Sequence, residues 1–304
     1  MKKILIMLIT LIAVGMAAFI WLKQTEPAIK TAAPQKAAKL AKVKHINLVA
    51  LGDSLTEGIG DDKREQGYSG RVAKKIDKAY DVSVTMSNFG KAGDRSDQIQ
   101  KRLNEQPKFQ RAVKQANVII LTSGGNDLQQ ALLKNVFAKT PTELTAAIVS
   151  SQAAYQTKLT RLFRDIRTYN RQAPIFIFGN YNPLFVHFPQ REDLNQDVTR
   201  FNTINRHVAK QDKNSYYVDA FDLTFGQYRT KKMRQSLDQQ AKKMTKNSNS
   251  NQVMTATLMG ETHVKNSWIS ETDNYHPNDT GYNYMSTQLY QVMRKEQEKW
   301  LIKH

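Results

Sequence analysis

An α/β fold, a parallel sheet covered by helices on both faces, is predicted for residues 45–304 by three observations. Short strand-like runs alternate with longer stretches of helical spacing. Apart from Val82 to Met86, which alternates, the runs are apolar throughout, as strands buried on both faces must be. Each of the chemically distinctive turns follows the end of such a run or opens the last helix, and the ligand crevice of these sheets lies at the C-terminal strand ends.

The first run, His45-Ile46-Asn47-Leu48-Val49-Ala50, leads into Leu51-Gly52-Asp53-Ser54-Leu55 and reads as a buried strand closed by a tight turn. Tyr68 to Ala79 follows as a helix, with Val72, Ala73 and Ile76 at helical spacing, and Val82 to Met86 as a strand. Ile99 and Leu103 mark a second helix, and Asn117 to Thr122 a third strand ending in glycines. A long helix is expected from about Thr142 to Asn170, then a strand over Pro174 to Gly179. Helical spacing returns over Asp197 to Lys210, and Tyr216-Tyr217-Val218-Asp219 makes a short fifth strand. Residues 225–270 are a basic, polar insertion, expected to hold a solvated surface helix and a flexible loop. The last helix starts at Thr280, with Tyr282, Met285, Leu289 and Met293 on one face and Asp279 as its expected N-cap.

A chain of 304 residues with 40% hydrophobic content can build one sizeable core. Cysteine is absent, which excludes disulfide scaffolds, thiol nucleophiles, cysteine-bound zinc and a lipidated cysteine. No His-Glu-x-x-His spacing occurs, and neither a metal nor another cofactor is expected.

After Met1-Lys2-Lys3, the 19 residues Ile4 to Leu22 carry no charge, just enough to cross a bilayer core of about 30 Å. Residues 1–22 are therefore read as an export segment. An uncleaved signal anchor is favoured over a cleaved signal peptide, because the apolar run continues through Phe19, Ile20, Trp21 and Leu22. Residues 23–44, rich in Ala, Lys and Pro, read as a solvated tether. This arrangement puts the domain outside a cell membrane; cleavage would make it a secreted protein. Residues 1–44 hold eight lysines and one glutamate, so +7 of the net +18 lies there and +11 belongs to residues 45–304. An exported basic domain meets anionic lipids and envelope polymers rather than nucleic acid, which is not expected as a partner. A monomer is expected.

Four clusters carry the chemistry. Ser54 stands where the first strand ends. Asn88-Phe89-Gly90-Lys91-Ala92-Gly93-Asp94 follows the second strand, and Ser123-Gly124-Gly125-Asn126-Asp127 the third. Asp273-Asn274-Tyr275-His276-Pro277 precedes the last helix. A neutral serine needs a base within hydrogen-bond reach and a third group to fix that base's tautomer, and an Asp-x-x-His turn offers both. The developing oxyanion needs donors, which backbone amides beside glycine and an asparagine side chain supply. Of the other histidines, His263 is the runner-up base.

These clusters, Gly52-Asp53-Ser54-Leu55, Gly93, Gly124-Gly125-Asn126-Asp127 and Asp273 to His276, resemble in order the four blocks of the SGNH, or GDSL-type, serine hydrolases. The resemblance covers residues 47–281. It implies a flavodoxin-like three-layer α/β/α sandwich with a mostly parallel five-stranded sheet. It also implies an esterase or acylhydrolase acting on carboxylic esters (lipid, short-chain or O-acetyl sugar) without a cofactor. In such an enzyme Ser54 would be the nucleophile, His276 the base and Asp273 its orienting acid. The Ser54 and Gly93 amides and the Asn126 side chain would form the oxyanion hole. The alternative is a catalytically silent domain that holds anionic wall polymer or lipid on its basic surface. The Tyr181 to Gln190 segment is expected either to line an acyl pocket or to serve as loop packing.

Overall fold

The computed structural model describes residues 42–135, 137–245 and 265–302. The Ile4–Leu22 span, the tether as far as Ala41, the Asn-Ser repeats of the insertion and His263 lie outside the described residues. Among the described residues, no helix is long and apolar enough to cross a membrane.

In chain order the elements are β1 (His45–Gly52), α1 (Ser54–Glu57), α2 (Gly67–Tyr80), β2 (Ser83–Gly90), α3 (Ser96–Glu105), α4 (Pro107–Gln115), β3 (Val118–Leu121), α5 (Gly125–Lys134), α6 (Pro141–Tyr169), β4 (Ile175–Phe178), α7 (Glu192–Gln211), β5 (Ser215–Val218), α8 (Lys231–Thr245) and α9 (Asp279–Lys295). The strands pair in the order β2-β1-β3-β4-β5, every pair parallel. This is the flavodoxin-like order, and its switch point falls between β1 and β3.

Strand periodicity divides the core into two layers. Val49, Leu51, Ile119, Leu121, Ile175 and Ile177 face one side, where α3 to α7 cover them through residues such as Leu103, Phe109, Leu159 and Phe201. Ile46, Leu48, Ala50, Ile120, Phe176 and Phe178 face the other, under Tyr68, Val72 and Ile76 of α2 and Tyr282, Met285 and Leu289 of α9. Both faces of β3 and β4 are therefore dry, which is why their runs carry no polar alternation, whereas the edge strand β2 alternates.

Two expectations need correction, and two helices had no counterpart in the sequence reading. The N-cap of α9 is Asn278, whose side chain accepts from the Thr280 and Gly281 amides at 2.9 and 3.2 Å. Asp279 instead turns its carboxylate to Arg71 at 2.5 Å. The helix within the insertion, α8, is more than a solvated surface helix, since Leu237 and Ala241 are buried and Leu237 packs with Phe185 and Val186. Helices α4 and α5 went unpredicted because α4 buries only Phe109 and Val113, and α5 opens in a glycine pair that reads as a turn.

Candidate active site

The sheet delivers Ser54 directly. Gly52 ends β1 with its α-carbon against Thr122 and Thr56, and a Cβ there would sit 2.3 and 2.4 Å from their hydroxyls. That close approach lets Thr122 Oγ1 donate to the Asp53 carboxylate at 2.7 Å while the same carboxylate accepts from the Leu55 amide at 3.1 Å. Asp53 thereby caps α1 and fixes Ser54 as its first residue. Burial pushes the Asp53 carboxyl up from its ordinary range, with these hydrogen bonds opposing the shift.

The Asp273–His276 turn is held against α9 as a small antiparallel loop, with the Ser270 amide donating to the His276 carbonyl at 2.7 Å and Ile269 bridged to Pro277. His276 Nδ1 lies 2.6 Å from Asp273 Oδ2, and His276 Nε2 lies 2.8 Å from Ser54 Oγ. With an ionised Asp273 the proton belongs on Nδ1, leaving Nε2 to accept from the serine. Asp273 Oδ1 accepts from the Tyr275 and His276 amides at 2.9 and 3.0 Å. Burial acts to raise the Asp273 pKa, but these bonds outweigh it and hold the carboxyl below its usual value. Such a line of groups can draw a proton from Ser54 and return it to a leaving group.

Beside Ser54, a cleft is lined by Asp53, Leu55, Gly125, Asn126, Asn180, Tyr181 and Tyr275. Asn126 occupies the second position of α5, and the turn before it needs glycine. Gly124 has φ +105°, and a Cβ on it would meet Tyr155 Oη at 2.3 Å. Gly93 has φ +80° with open space where a Cβ would stand. The three sequence blocks around β1, β2 and β3 thus converge at the switch point, while His276 comes in from the loop before α9. His263, the alternative base, lies outside the described residues. Among the described residues, no group of three or more His, Asp or Glu is placed to hold a metal.

The sequence model of the GDSL-like Lipase/Acylhydrolase family matches residues 50–284. The chain belongs to this family. It is accordingly a serine hydrolase acting on esters, with the α/β three-layer fold of its relatives. It is 30% identical over 284 residues to YpmR of Bacillus subtilis (strain 168), described as an uncharacterized protein, across 92% of this chain and 95% of that one. It is 32% identical over 168 residues to the spore germination lipase LipC of Bacillus licheniformis, across 54% of this chain and 74% of that one. Its fold is similar to the crystal structure of the lipase Lip_vut3 from a goat rumen metagenome, with a TM-score of 0.58 and 22% identity, covering 82% of this chain and 97% of that one.

Sequence reasoning assigned no role to Arg102, Glu57 or Asn180 of this GDSL hydrolase. Arg102, on α3, donates to Asp94 at 2.5 Å and to the carbonyls of Phe89 and Gly52 at 3.0 and 3.1 Å, clamping the ends of β1 and β2 to the Gly93 turn. The Asp94 carbonyl accepts from Asn126 Nδ2 at 2.9 Å, so one residue links the second and third blocks. Glu57 anchors the same turn through the Ala92 amide at 2.5 Å. Asn180 and Tyr181 stand just past β4, and the Tyr181 hydroxyl donates to the Tyr275 carbonyl at 2.6 Å. Gly179-Asn180-Tyr181-Asn182 is itself a polar cluster at a strand end, so the rule that found the other blocks also reaches this one.

Proposed function

We propose that this chain cleaves carboxylic esters through an acyl-enzyme formed on Ser54. The observation that carries the reading is the unbroken hydrogen-bonded line from Asp273 through His276 to Ser54. Ser54 Oγ attacks the ester carbonyl carbon as His276 Nε2 takes its proton. The charge that develops on the carbonyl oxygen is met by the Ser54 and Gly93 amides and the second hydrogen of Asn126 Nδ2. The bond to the alcohol oxygen breaks, His276 gives its proton to the departing alcohol, and the acyl group stays on Ser54. Water then attacks this acyl ester with His276 again as base, releasing the acid and restoring Ser54. Asp273 remains ionised throughout, consistent with the bonds that favour its charged form.

The reaction takes place outside the cell membrane, with the domain held near it by the Ile4–Leu22 segment and the tether. Support comes from the length of the uncharged run and from the lysines before it. The net charge of +11 on residues 45–304 favours anionic substrates and envelope polymers over neutral ones, and that preference weakens as salt rises.

The test is labelling with a fluorophosphonate together with hydrolysis of p-nitrophenyl butyrate. Parent protein should be labelled and active, and Ser54→Ala neither. Activity that survives Ser54→Ala would refute the assignment of the nucleophile. Cell fractionation tests location: full-length protein should sediment with membranes and be cut by external protease, whereas a shortened protein in the medium would mean that the segment is removed.

A further inference from the structure

The Ser54 cleft opens beside a second, larger cavity of about 320 Å³, and the two share Gly125, Asn180, Tyr181, Pro183 and Tyr275. Leu128 and Leu132 of α5, Leu144 of α6, and Leu184 and Phe188 of the turn after β4 form much of its wall. Among the described residues, no aspartate or glutamate lines it. Several of its polar side chains are engaged by the protein itself, while Gln129, Lys139 and Gln190 also line it. Asn182 bonds Asn195 and the Leu184 amide at 2.8 and 3.0 Å, and Asn135 bonds the Ala131 carbonyl at 2.8 Å. Arg191 is turned to Asp193 at 2.7 Å. A sugar placed here would give up its hydrogen bonds to water and find few in return, whereas an alkyl chain has none to lose.

The mouth is apolar as well. Of the four large hydrophobic side chains strongly exposed among the described residues, Leu133 (50%) lines this cavity and Phe137 (89%) stands next to Ala138, which also lines it. Single exposed hydrophobic residues are ordinary, but one that belongs to the wall of an apolar cavity, as Leu133 does, continues its surface outward.

We propose that this cavity binds the acyl chain of a medium-chain fatty ester, with the ester carbonyl at Ser54 and the chain along Leu128, Leu132, Leu184 and Phe188. The proposal rests on the ester-hydrolase reading of Ser54. Chain length follows from volume: a methylene takes up nearly as much space as a water molecule, roughly 30 Å³, so the cavity holds about ten of them and suits acyl chains of about eight to twelve carbons.

The experiment uses full-length protein and p-nitrophenyl esters with acyl chains of graded length from acetate to palmitate. The kcat/KM should rise by about fourfold per added methylene, peak between octanoate and dodecanoate, and fall once the cavity is full. Leu184→Trp, and independently Leu128→Trp, should lower the decanoate-to-butyrate ratio of kcat/KM at least tenfold and move the peak to shorter chains. A profile that is highest at acetate and declines with length would overturn the acyl-chain proposal while leaving the esterase reading intact, as would a ratio unmoved in both variants. Decanoic acid binding to Ser54→Ala protein reads the cavity without turnover. Saturable binding weakened by Leu184→Trp supports the site even if Ser54 proves not to be the nucleophile, and absence of binding counts against it.

Discussion

Asp94→Asn tests whether the proposed oxyanion donors are held in place by the Arg102 clamp. The Asp94 carboxylate sits 2.5 Å from Arg102 Nε, with the two side chains only 7% and 13% exposed, and its backbone carbonyl receives Asn126 Nδ2 at 2.9 Å. Asparagine keeps the size and one acceptor but not the charge. A charge-assisted hydrogen bond of about 1.5–3 kcal/mol becomes a neutral one of about 0.5–1.5, so the fold should lose about 1–2 kcal/mol. Arg102 would keep its bonds to the Phe89 and Gly52 carbonyls, which limits the damage to the 91–94 turn. Removing an oxyanion donor outright, as in Asn126→Ala, should cost about 10²–10³ in kcat. Loosening two donors without removing either should cost less, about 10- to 100-fold, with KM changed by less than about threefold. Steady-state hydrolysis of p-nitrophenyl butyrate gives kcat and KM, and urea unfolding of the same preparation gives stability. A kcat within twofold of the parent, alongside the expected loss of stability, would show that the clamp holds the fold and does not set the donors.

His276→Ala should lower kcat by a factor on the order of 10⁶ and Asp273→Asn by about 10⁴, because asparagine still accepts from the Tyr275 and His276 amides but no longer fixes the tautomer; a comparable loss from His263→Ala would overturn the choice of base. Asp197 is buried and pushed up to about 6, by desolvation first, with Arg200 at 3.2 Å offsetting it in part, and its Oδ2 has no hydrogen-bond partner among the described residues. Because the unfolded chain ionises this carboxyl near its ordinary 3.8, the native state loses stability as pH rises from about 4 to about 6, by up to about 3 kcal/mol in all. Asp197→Asn should therefore melt higher than the parent at pH 8 and close to it at pH 4; a lower melting temperature at pH 8 would mean that the Arg200 pair outweighs the burial of the charge.

The strand positions and the four chemical blocks were legible for one physical reason. A parallel sheet buried on both faces gives uninterrupted apolar runs, and the catalytic turns must sit where those runs stop. Glycine stands out at Gly52 and Gly124 because the backbone there lies within van der Waals distance of Thr122 and Tyr155, leaving no room for a Cβ. Arg102 was not legible. It lies on a charged, half-exposed helix, and only the tertiary fold shows that it reaches the ends of β1 and β2. Asn278 was passed over for Asp279 because both are good N-caps; the choice was made by Arg71, buried between Asp61 and Asp279 at 2.7 and 2.5 Å. Helix α5 was hidden because the residues that open it, Gly124-Gly125-Asn126, read as a turn.

The turn after β4 packs on one face and lines a cavity on the other. Over five residues it sends Leu184 and Phe188 toward the larger cavity, while Phe185 and Val186 pack against Leu237 of α8. The turn is drawn tight by the His187 and Phe188 amides, which both donate to the Leu184 carbonyl, at 3.1 and 3.0 Å. A side chain moved on one face therefore displaces its neighbours on the other, because so short a turn has little freedom to absorb the change. In this way α8, which matches none of the four catalytic blocks, is mechanically continuous with the wall against which an acyl chain would lie.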